Sequence, residues 1–480
     1  MPNPTRTANP RLAVAVLCIG GLTAALTQTL VIPIQSELPS LLDTSAANAA
    51  WVVTVTLLAG AVAMPIAGSL ADIFGKKRIM VASAAILVVG SALVALSSTL
   101  VPVLAGRALQ GLAMGFIPVG ISLIREIVPP KMAGGAVAAM SATLGVGGAI
   151  GLPLAAWIAE VGDWHALFWV ATGLAVVITV LTAVAIPHVQ DAQPSRFDAV
   201  GAVGLAVGLV AVLVGISKAT TWGWGDARTI GAIVAGVLVL LAWGAYELRQ
   251  PAPLVDLRAT AKLPVLMTNV AAVAVGFGMM AQAVVVPQLL QLPEATGYGL
   301  GQTMLAAGLW MAPGGLMMMV FAPVSGRLIA TMGARITLMV GAAVLGAGYL
   351  VAYFLMEAPW QLLVASCILS AGVGIGYAAM PTLILDAVPV REAGAAVGLN
   401  ALMRSVGTTL SAAVMGTLLT SNTVAAGGGL ELPTKGAFQL CFIVGAVAAF
   451  VGVAIAAAIP RRRVEEPAGS DLAAAGAQAG

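Results

Sequence analysis

Two copies of one charged loop interrupt an otherwise apolar chain. The first copy occupies residues 65–78 and reads PIAGSLADIFGKKR, and the second occupies residues 323–335 and reads PVSGRLIATMGAR. Pro65 and Pro323 are 258 residues apart, as are Gly75 and Gly333. A constant offset between two such loops indicates a chain built from two similar halves.

The first copy places one acid and three bases at a helix end, where they could form charge pairs. Gly68 lets two helices approach closely, Gly75 permits a tight reversal, and Asp72 can pair with a base or a helix N-terminus in only one arrangement of the halves. We therefore predict a conformational latch; the alternative is a short turn with ordinary loop charges. The predicted latch comprises Gly68, Asp72, Gly75, Lys76, Lys77, Arg78, Gly326, Gly333 and Arg335.

The two copies of the loop differ in charge. Ala330 and Ala334 stand in the second copy where the first has Asp72 and Lys76. The charged part of the latch is therefore expected mainly in the first half of the chain.

A second candidate group contains Arg107 and Gln110, which lie one turn apart in an apolar run. An arginine at membrane depth costs about 2.5–3.5 kcal/mol on insertion scales, so it should face protein or a water-filled cavity. We favour the cavity over an arginine that extends to the membrane surface, since Gly111 and Gly115 open the same helix to close packing.

Amides and a further arginine recur in other apolar runs, where they could line a central cavity. Asn400 and Arg404 share one helix face, while Asn269, Gln282 and Gln28 lie in other runs. Hydrogen bonds between helices are the alternative role for each single amide.

Glycines and a proline mark the fifth apolar run. Gly147 and Gly151 give a smooth helix face, and Pro153 bends the helix. Packing and function explain this pattern equally well.

A membrane transporter driven by protons would need a carboxylate that can titrate from both sides of the membrane. Besides Asp72, the nearest candidates are Glu37, Glu126 and Asp386, all at or close to predicted helix ends. A solvated structural charge is the alternative role for each.

Membrane helices must position all these groups. The chain has 480 residues, of which 60% are hydrophobic and 9% charged, so it cannot be a soluble globule. Because a bilayer core of about 30 Å needs about 20 apolar residues per crossing, the apolar runs predict an all-α polytopic membrane protein with about fourteen spans. The spans begin near Leu12, Trp51, Ile79, Val101, Gly134, Trp164, Ala199, Thr229, Pro264, Gln302, Ile336, Trp360, Gly394 and Gly436.

Basic residues predict the orientation. An even number of spans puts both termini on one side of the membrane. Among the basic residues in loops, only Lys218, Arg228 and Lys435 fall on the opposite side. We therefore predict cytoplasmic termini in a plasma (inner) membrane. The predicted parts are a cytoplasmic N-terminus at 1–11, a six-helix bundle at 12–187, an extra helix pair at 199–247, a second six-helix bundle at 264–459 and a disordered tail at 461–480.

In this order, the motifs resemble the major facilitator superfamily, and within it the fourteen-span drug:proton antiporter branch. The resemblance covers about residues 12–460. It rests on the loop at 65–78, on the fourth-span residues Arg107, Gln110, Gly111 and Gly115, and on Phe197-Asp198 and Trp222-Gly223-Trp224. It implies the major facilitator fold, with two six-helix bundles and two extra helices between them.

Two departures from that branch concern its mechanism. Thr27 stands where the branch usually has an acid in the first span, so a common proton carrier is missing. The fifth-span motif reads GLPLAA from Gly151 to Ala156, with its proline displaced and its glycine pair replaced.

Our first hypothesis is an exporter that works by alternating access. Its cargo would be an amphipathic small molecule, hydrophobic or cationic and drug-like, and protons would drive it. The alternative cargo is a lipid or an endogenous secondary metabolite with weak or no proton coupling, which Thr27 and the scarce buried acids favour. Membrane lipids are a further expected partner, and a monomer is expected.

A membrane-embedded enzyme is the third hypothesis, and the sequence argues against it. His165 and His188 are isolated near helix ends, whereas such enzymes need clustered acids, histidines or metal ligands. No cofactor, metal or nucleic-acid partner is therefore expected. No Gly-Lys-Ser/Thr loop precedes a helix either, which argues against ATP-driven transport.

Overall fold

Fourteen helices of the computed structural model are long and apolar enough to cross a membrane, which confirms the predicted fold class. The structure describes residues 9–32, 34–35, 37–161, 163–189, 196–425 and 431–460. We number these helices α1 Pro10–Thr29, α2 Trp51–Phe74, α3 Lys76–Ala95, α4 Leu100–Ile127, α5 Pro130–Val161, α6 His165–Ala185, α7 Ala199–Trp222, α8 Ala227–Glu247, α9 Leu263–Gln291, α10 Met304–Met332, α11 Ala334–Phe354, α12 Pro359–Ala387, α13 Ala393–Ser421 and α14 Lys435–Ala458. The predicted tail at 461–480 and most of the predicted N-terminus lie outside the described residues.

Short elements connect some of these helices. Single helical turns at Leu38–Leu41, Ala46–Ala49 and Leu257–Thr260 precede α2 and α9. Between α13 and α14, β1 Thr423–Ala425 pairs antiparallel with β2 Glu431–Pro433.

Glycine makes the two tight reversals expected from the repeated loop. Gly75 separates α2 from α3 with φ 95°, and Gly333 separates α10 from α11 with φ 84°. Both values lie in the left-handed region, where a side chain would be strained, so glycine is needed at each reversal.

One end of the helix bundle carries the start of α1 and the end of α14, and we call it the terminal face. Contacts between side chains and backbones join several helix ends here. They are the C-terminal ends of α2, α4, α10, α12 and α14 and the starts of α3, α5, α11 and α13. The charged loops of both halves therefore share one side of the protein.

The two halves meet along two helix crossings. Helix α2 packs against α13, and α5 packs against α10. Most of the buried apolar side chains of α9–α14 form one large cluster, while those of α1, α4 and α5 dominate another that reaches the start of α13 at the terminal face.

The extra helix pair lies against only one of these crossings. Leu205, Leu209 and Leu213 of α7 pack with Leu58 of α2 and Leu402 of α13. Helix α8 packs on α7 and leaves most of its surface outside the protein, as a lipid-facing helix would.

Candidate functional site

The Asp72 carboxylate joins the two halves at the terminal face. Its Oδ1 accepts a hydrogen bond from the Gly394 amide at 3.1 Å, and its Oδ2 accepts one from the Ala395 amide at 2.9 Å. These amides open α13, where the helix dipole favours a negative charge. The acid of the first half thus caps a helix of the second half, as one of the pairings predicted from the sequence.

A buried base connects Asp72 to a second acid. Lys76 Nζ lies 3.8 Å from Asp72 Oδ1 and forms a short ion pair with Glu126 Oε1. Glu126, a candidate proton site, is therefore paired with a lysine in this conformation. A buried charge needs such partners because removing it from water is costly.

Arg125 forms a second bridge between the halves, which the sequence did not single out. Arg125 lies at the end of α4, and its guanidinium donates to the carbonyls of Leu385 and Val388, the latter at 3.3 Å. These carbonyls end α12, where the helix dipole favours a cation. The available signal in the sequence was its place at a predicted helix end beside Glu126.

Glycines bring the helices of the two halves into backbone contact. A Cβ on Gly68 would lie 2.2 Å from the Gly394 carbonyl oxygen, and one on Gly398 would lie 2.4 Å from that of Met64. At the other crossing, a Cβ on Gly326 would lie 3.0 Å from the Gly135 Cα. The repeated glycine thus allows a close approach in both halves.

The remaining loop charges do not bridge the halves. Arg335 donates to the carbonyls of Ala456 and Ala457 at the end of α14, in its own half. Lys77 is half-buried and Arg78 exposed. The charged connection between the halves therefore comes from the first half, through Asp72 and Arg125.

Arg107 lies in a buried, hydrogen-bonded network within the first half. Its side chain is 1% exposed, and it donates to the carbonyls of Val52 and Thr27, each at 3.1 Å, and to Gln110 Oε1 at 2.7 Å. Gln110 in turn donates to Ser91 at 2.9 Å. Carbonyls of α1 and α2 satisfy the guanidinium directly in this conformation, and a role of Arg107 in lining a cavity stays a prediction.

Two polar residues of α1 lie beside this network. Thr27, at the position of the missing acid, turns its hydroxyl back to the Ala24 carbonyl at 2.8 Å. Gln28 donates to Met114 Sδ at 2.9 Å. Neither residue supplies a group that could carry a proton.

The second half holds a matching polar cluster. Arg404 donates to Asn400 Oδ1 at 2.6 Å and stacks over the Tyr377 ring at 4.5 Å, and Asn400 donates to Asn269 Oδ1 at 3.0 Å. Asn269 is 4% exposed, and its Nδ2 has no hydrogen-bond partner among the described residues. Gln282 lies apart from this cluster and points to the Ser366 carbonyl at 3.5 Å.

The remaining predicted glycines pack helices within the first half. A Cβ on Gly147 would lie 2.3 Å from Ala25, and one on Gly151 would lie 2.0 Å from Thr29, so α5 lies directly on α1. Gly111 and Gly115 serve the contact between α4 and α2 in the same way, and Pro153 lies inside α5. These positions favour the packing role that the sequence left open for the fifth span.

The other candidate proton sites, Glu37 and Asp386, are exposed. Glu37 lies in the connection from α1 to α2, opposite the terminal face, and Asp386 lies near the end of α12. Each therefore lies outside the buried polar networks described above.

A cavity of about 560 Å³ separates the extra helix pair from the second half. Its walls are apolar except for Thr260 and Asn269, and Leu266, Val270 and Val451 on its rim are 40%, 40% and 48% exposed. The lining comes from the first half of α9 and the second half of α14, so the cavity lies in the part of the membrane next to the terminal face and opens sideways.

Fourteen membrane helices, arranged as two repeated halves with an extra helix pair and joined at one end by glycine crossings and a charged cap, have the architecture of a multi-pass membrane transporter. Comparison with known families agrees with this class. The chain belongs to the Major Facilitator Superfamily, whose sequence profile matches residues 17–412 and again residues 270–478.

Individual relatives include exporters. The tetracenomycin C resistance and export protein of Streptomyces glaucescens is 30% identical over 416 residues, covering 85% of this chain and 75% of that protein. An uncharacterized MFS-type transporter of Mycobacterium tuberculosis is 28% identical over 411 residues, which cover 84% of this chain but only 58% of that relative. The human organic anion transporter MFSD10 (TETRAN) superposes with a TM-score of 0.64 at 14% identity, covering 93% of this chain and 99% of that one, which indicates a shared fold.

Proposed function

We propose that this protein is a secondary active exporter that works by alternating access. The observation that carries the proposal is the Asp72 carboxylate of the first half on the N-terminus of α13 in the second. Hydrogen bonds to a charged group contribute about 1.5–3 kcal/mol each, and 1.4 kcal/mol changes a conformational equilibrium about tenfold. The Asp72 cap therefore stabilises the state that is closed at the terminal face.

The positive-inside bias supports a cytoplasmic terminal face, and we propose a plasma (inner) membrane as its location. In this orientation the described conformation is closed toward the cytoplasm, and the latch comprises the loop residues of both halves named above. Opening at this face would let cargo enter from the cell between the two halves. It requires the Asp72 cap and the Arg125 bridge to separate.

Hydrophobic or cationic drug-like compounds are the proposed cargo, with export coupled to protons. The export role named for the Streptomyces glaucescens relative supports this cargo class. The Asp72–Lys76–Glu126 network supports coupling, because Asp72 loses the Gly394 and Ala395 amides when the halves separate, which changes the electrostatic environment of the adjoining Lys76 and Glu126.

The test is efflux of a cationic dye from proteoliposomes with an imposed pH gradient. Asp72→Asn should abolish gradient-driven efflux while leaving the protein folded. The matched control is Asp226→Asn, since Asp226 also caps a helix N-terminus, at 2.7 Å from the Arg228 amide, but within its own half. Unchanged efflux in Asp72→Asn would remove the latch, and efflux without any dependence on the gradient would remove the coupling.

The cavity beside α7 and α8 favours a second candidate cargo. Its apolar walls and sideways opening suit an acyl chain, and Asn269 offers an unpaired donor for a polar group. A lipid or an endogenous amphipathic metabolite would fit this site. Transfer of a fluorescent phospholipid in the same proteoliposomes, with no transport of the dye, would favour this alternative.

A further inference from the structure

Two acidic residues meet where the extra helix pair reaches the terminal face. Asp198 precedes α7, and its Oδ1 accepts hydrogen bonds from the Gly201 amide at 2.8 Å and the Tyr246 hydroxyl at 3.1 Å. Glu247 ends α8, and its Oε2 accepts one from the Leu254 amide at 3.0 Å. Each carboxylate is thus anchored through one oxygen.

The other oxygen of each carboxylate is buried and has no hydrogen-bond partner among the described residues. These atoms are Asp198 Oδ2 and Glu247 Oε1. A Cβ on Gly201 would lie 2.5 Å from the first and 2.7 Å from the second, which puts the two oxygens within about 5 Å of each other. Glycine at 201 leaves the space between them open, and Glu247 is only 2% exposed.

No cation neutralises this pair within the described ranges, where neither acid forms an ion pair. The segment after α8 contains Arg258 and Asp256, whose hydrogen bonds among the described residues are not with the pair. The Arg258 guanidinium donates to the Leu248 carbonyl at 3.0 Å, and the Asp256 carboxylate accepts from the Arg258 and Ala259 amides.

The other groups near the pair come from α8 and from a neighbouring cavity. Tyr246 of α8 is a hydrogen-bond donor to Asp198, and the Trp243 indole of α8 and the Val255 amide face Glu247. Asp198 also lines a cavity of about 430 Å³ whose other charged lining residues are Asp72, Arg196, Asp256 and Glu392. Two carboxylates this close and this buried cannot both be ionised at low cost.

We propose that Asp198 and Glu247 form a proton-binding carboxyl pair, which holds one proton between Oδ2 and Oε1. The protonated carboxyl donates its O–H to the other carboxylate, so that both unpartnered oxygens are satisfied and a single negative charge remains. The proton arrives through the adjoining cavity, and its loss leaves two buried negative charges side by side. Repulsion then separates the end of α8 from the start of α7, and a rise in pH loosens the terminal-face end of the extra pair.

The pair is separate from the Asp72 latch, and its test does not require transport. Infrared spectra of the whole protein in nanodiscs at neutral pH should contain a protonated-carboxyl band that Glu247→Gln and Asp198→Asn each remove. Either amide can still accept the anchoring hydrogen bond, so both variants should fold. Asp226→Asn, at the other end of α8, is the matched control and should keep the band.

Thermal unfolding supplies an independent measurement. Between about pH 5 and pH 9, Tm should fall with rising pH in the wild type and in Asp226→Asn, and this fall should be lost in Glu247→Gln, because the shared proton stabilises the folded state at low pH. A band that survives Glu247→Gln, or equal pH dependence in Glu247→Gln and the wild type, would overturn the proposal. Stabilisation of the wild type by sodium or calcium at fixed pH, absent in Glu247→Gln, would also overturn it in favour of a metal-cation site.

Discussion

At the scale of single residues, the two deeply buried arginines share one solution to the cost of charge in a membrane. Arg107 donates to two backbone carbonyls and Gln110, and Arg404 uses an asparagine and an aromatic ring. The planar guanidinium, with five donors, can serve several neutral acceptors at once. Each arginine therefore contacts another helix of its own half through neutral groups, and none of these contacts involves a carboxylate.

Replacing Arg107 should destabilise the first half. Arg107→Met leaves Gln110 Oε1 buried without this donor, at about 1–3 kcal/mol, and also removes a donor to the carbonyls of Thr27 and Val52. Arg107→Lys should be intermediate, because a single ammonium cannot match the guanidinium fork. Unfolding of the purified protein in detergent measures the effect, with the exposed Arg78→Met as the control, expected within about 0.5 kcal/mol of the wild type. Equal stability of Arg107→Met and Arg78→Met would contradict the structural role.

At the scale of helices, close contact between the halves depends on glycine. The Gly68 contact with Gly394 is between backbones, so added bulk cannot be absorbed by a side-chain rotation. Helix association within lipid relies on such close packing, since apolar surface gains little by leaving lipid. These crossings therefore influence which state of the protein is favoured more than whether it folds.

Gly68→Ala should open the terminal face. The new methyl group meets the Gly394 carbonyl, and overpacking of about 1–3 kcal/mol would shift the equilibrium away from the closed state by about 5- to 150-fold. Faster maleimide labelling of a cysteine placed at Ala396, in the wall of the 430 Å³ cavity, reports this change.

Gly231→Ala in α8 is the control for Gly68→Ala, because a Cβ there has no neighbour within 4 Å. It should leave the labelling rate unchanged. If both alanines labelled alike, the α2–α13 contact would not determine the closed state.

At the scale of the whole molecule, the repeat is symmetric in packing and asymmetric in charge. Both crossings use the repeated glycine, yet Asp72 bridges the halves whereas Ala330 stands at its place in the second copy. The extra helix pair adds to this asymmetry because it covers the α2–α13 crossing alone. We therefore expect the proposed alternating access to be controlled mainly at that crossing.

Covalently joining the halves at the terminal face should stop transport. Ile73 of α2 and Ala396 of α13 line the same cavity, so cysteines at these two positions can be joined by a short reducible cross-linker. Efflux should be lost on cross-linking and return on reduction. Each single-cysteine variant, treated in the same way, is the control, and undiminished efflux from the cross-linked protein would contradict alternating access.

Much of the fold followed from the sequence, because span length and apolar composition are set by the thickness of the bilayer. The fourteen spans were predictable for this reason. Both reversals were predictable because glycine tolerates the positive φ of a tight turn. The pairing of the strands Thr423–Ala425 and Glu431–Pro433 was missed, since strands of three residues carry little pattern.

What the sequence determined by itself was local: which segments cross the membrane, where the loop repeats, and that Asp72 needs a partner. Only the tertiary structure decided the partners, namely α13 for Asp72, backbone carbonyls for Arg107, α12 for Arg125 and the Tyr246 hydroxyl for Asp198. The physical reason is that a buried polar group must be satisfied, but any of several helices can supply the partner. The choice depends on helix packing, which joins residues more than 300 positions apart, as between Asp72 and Ala395.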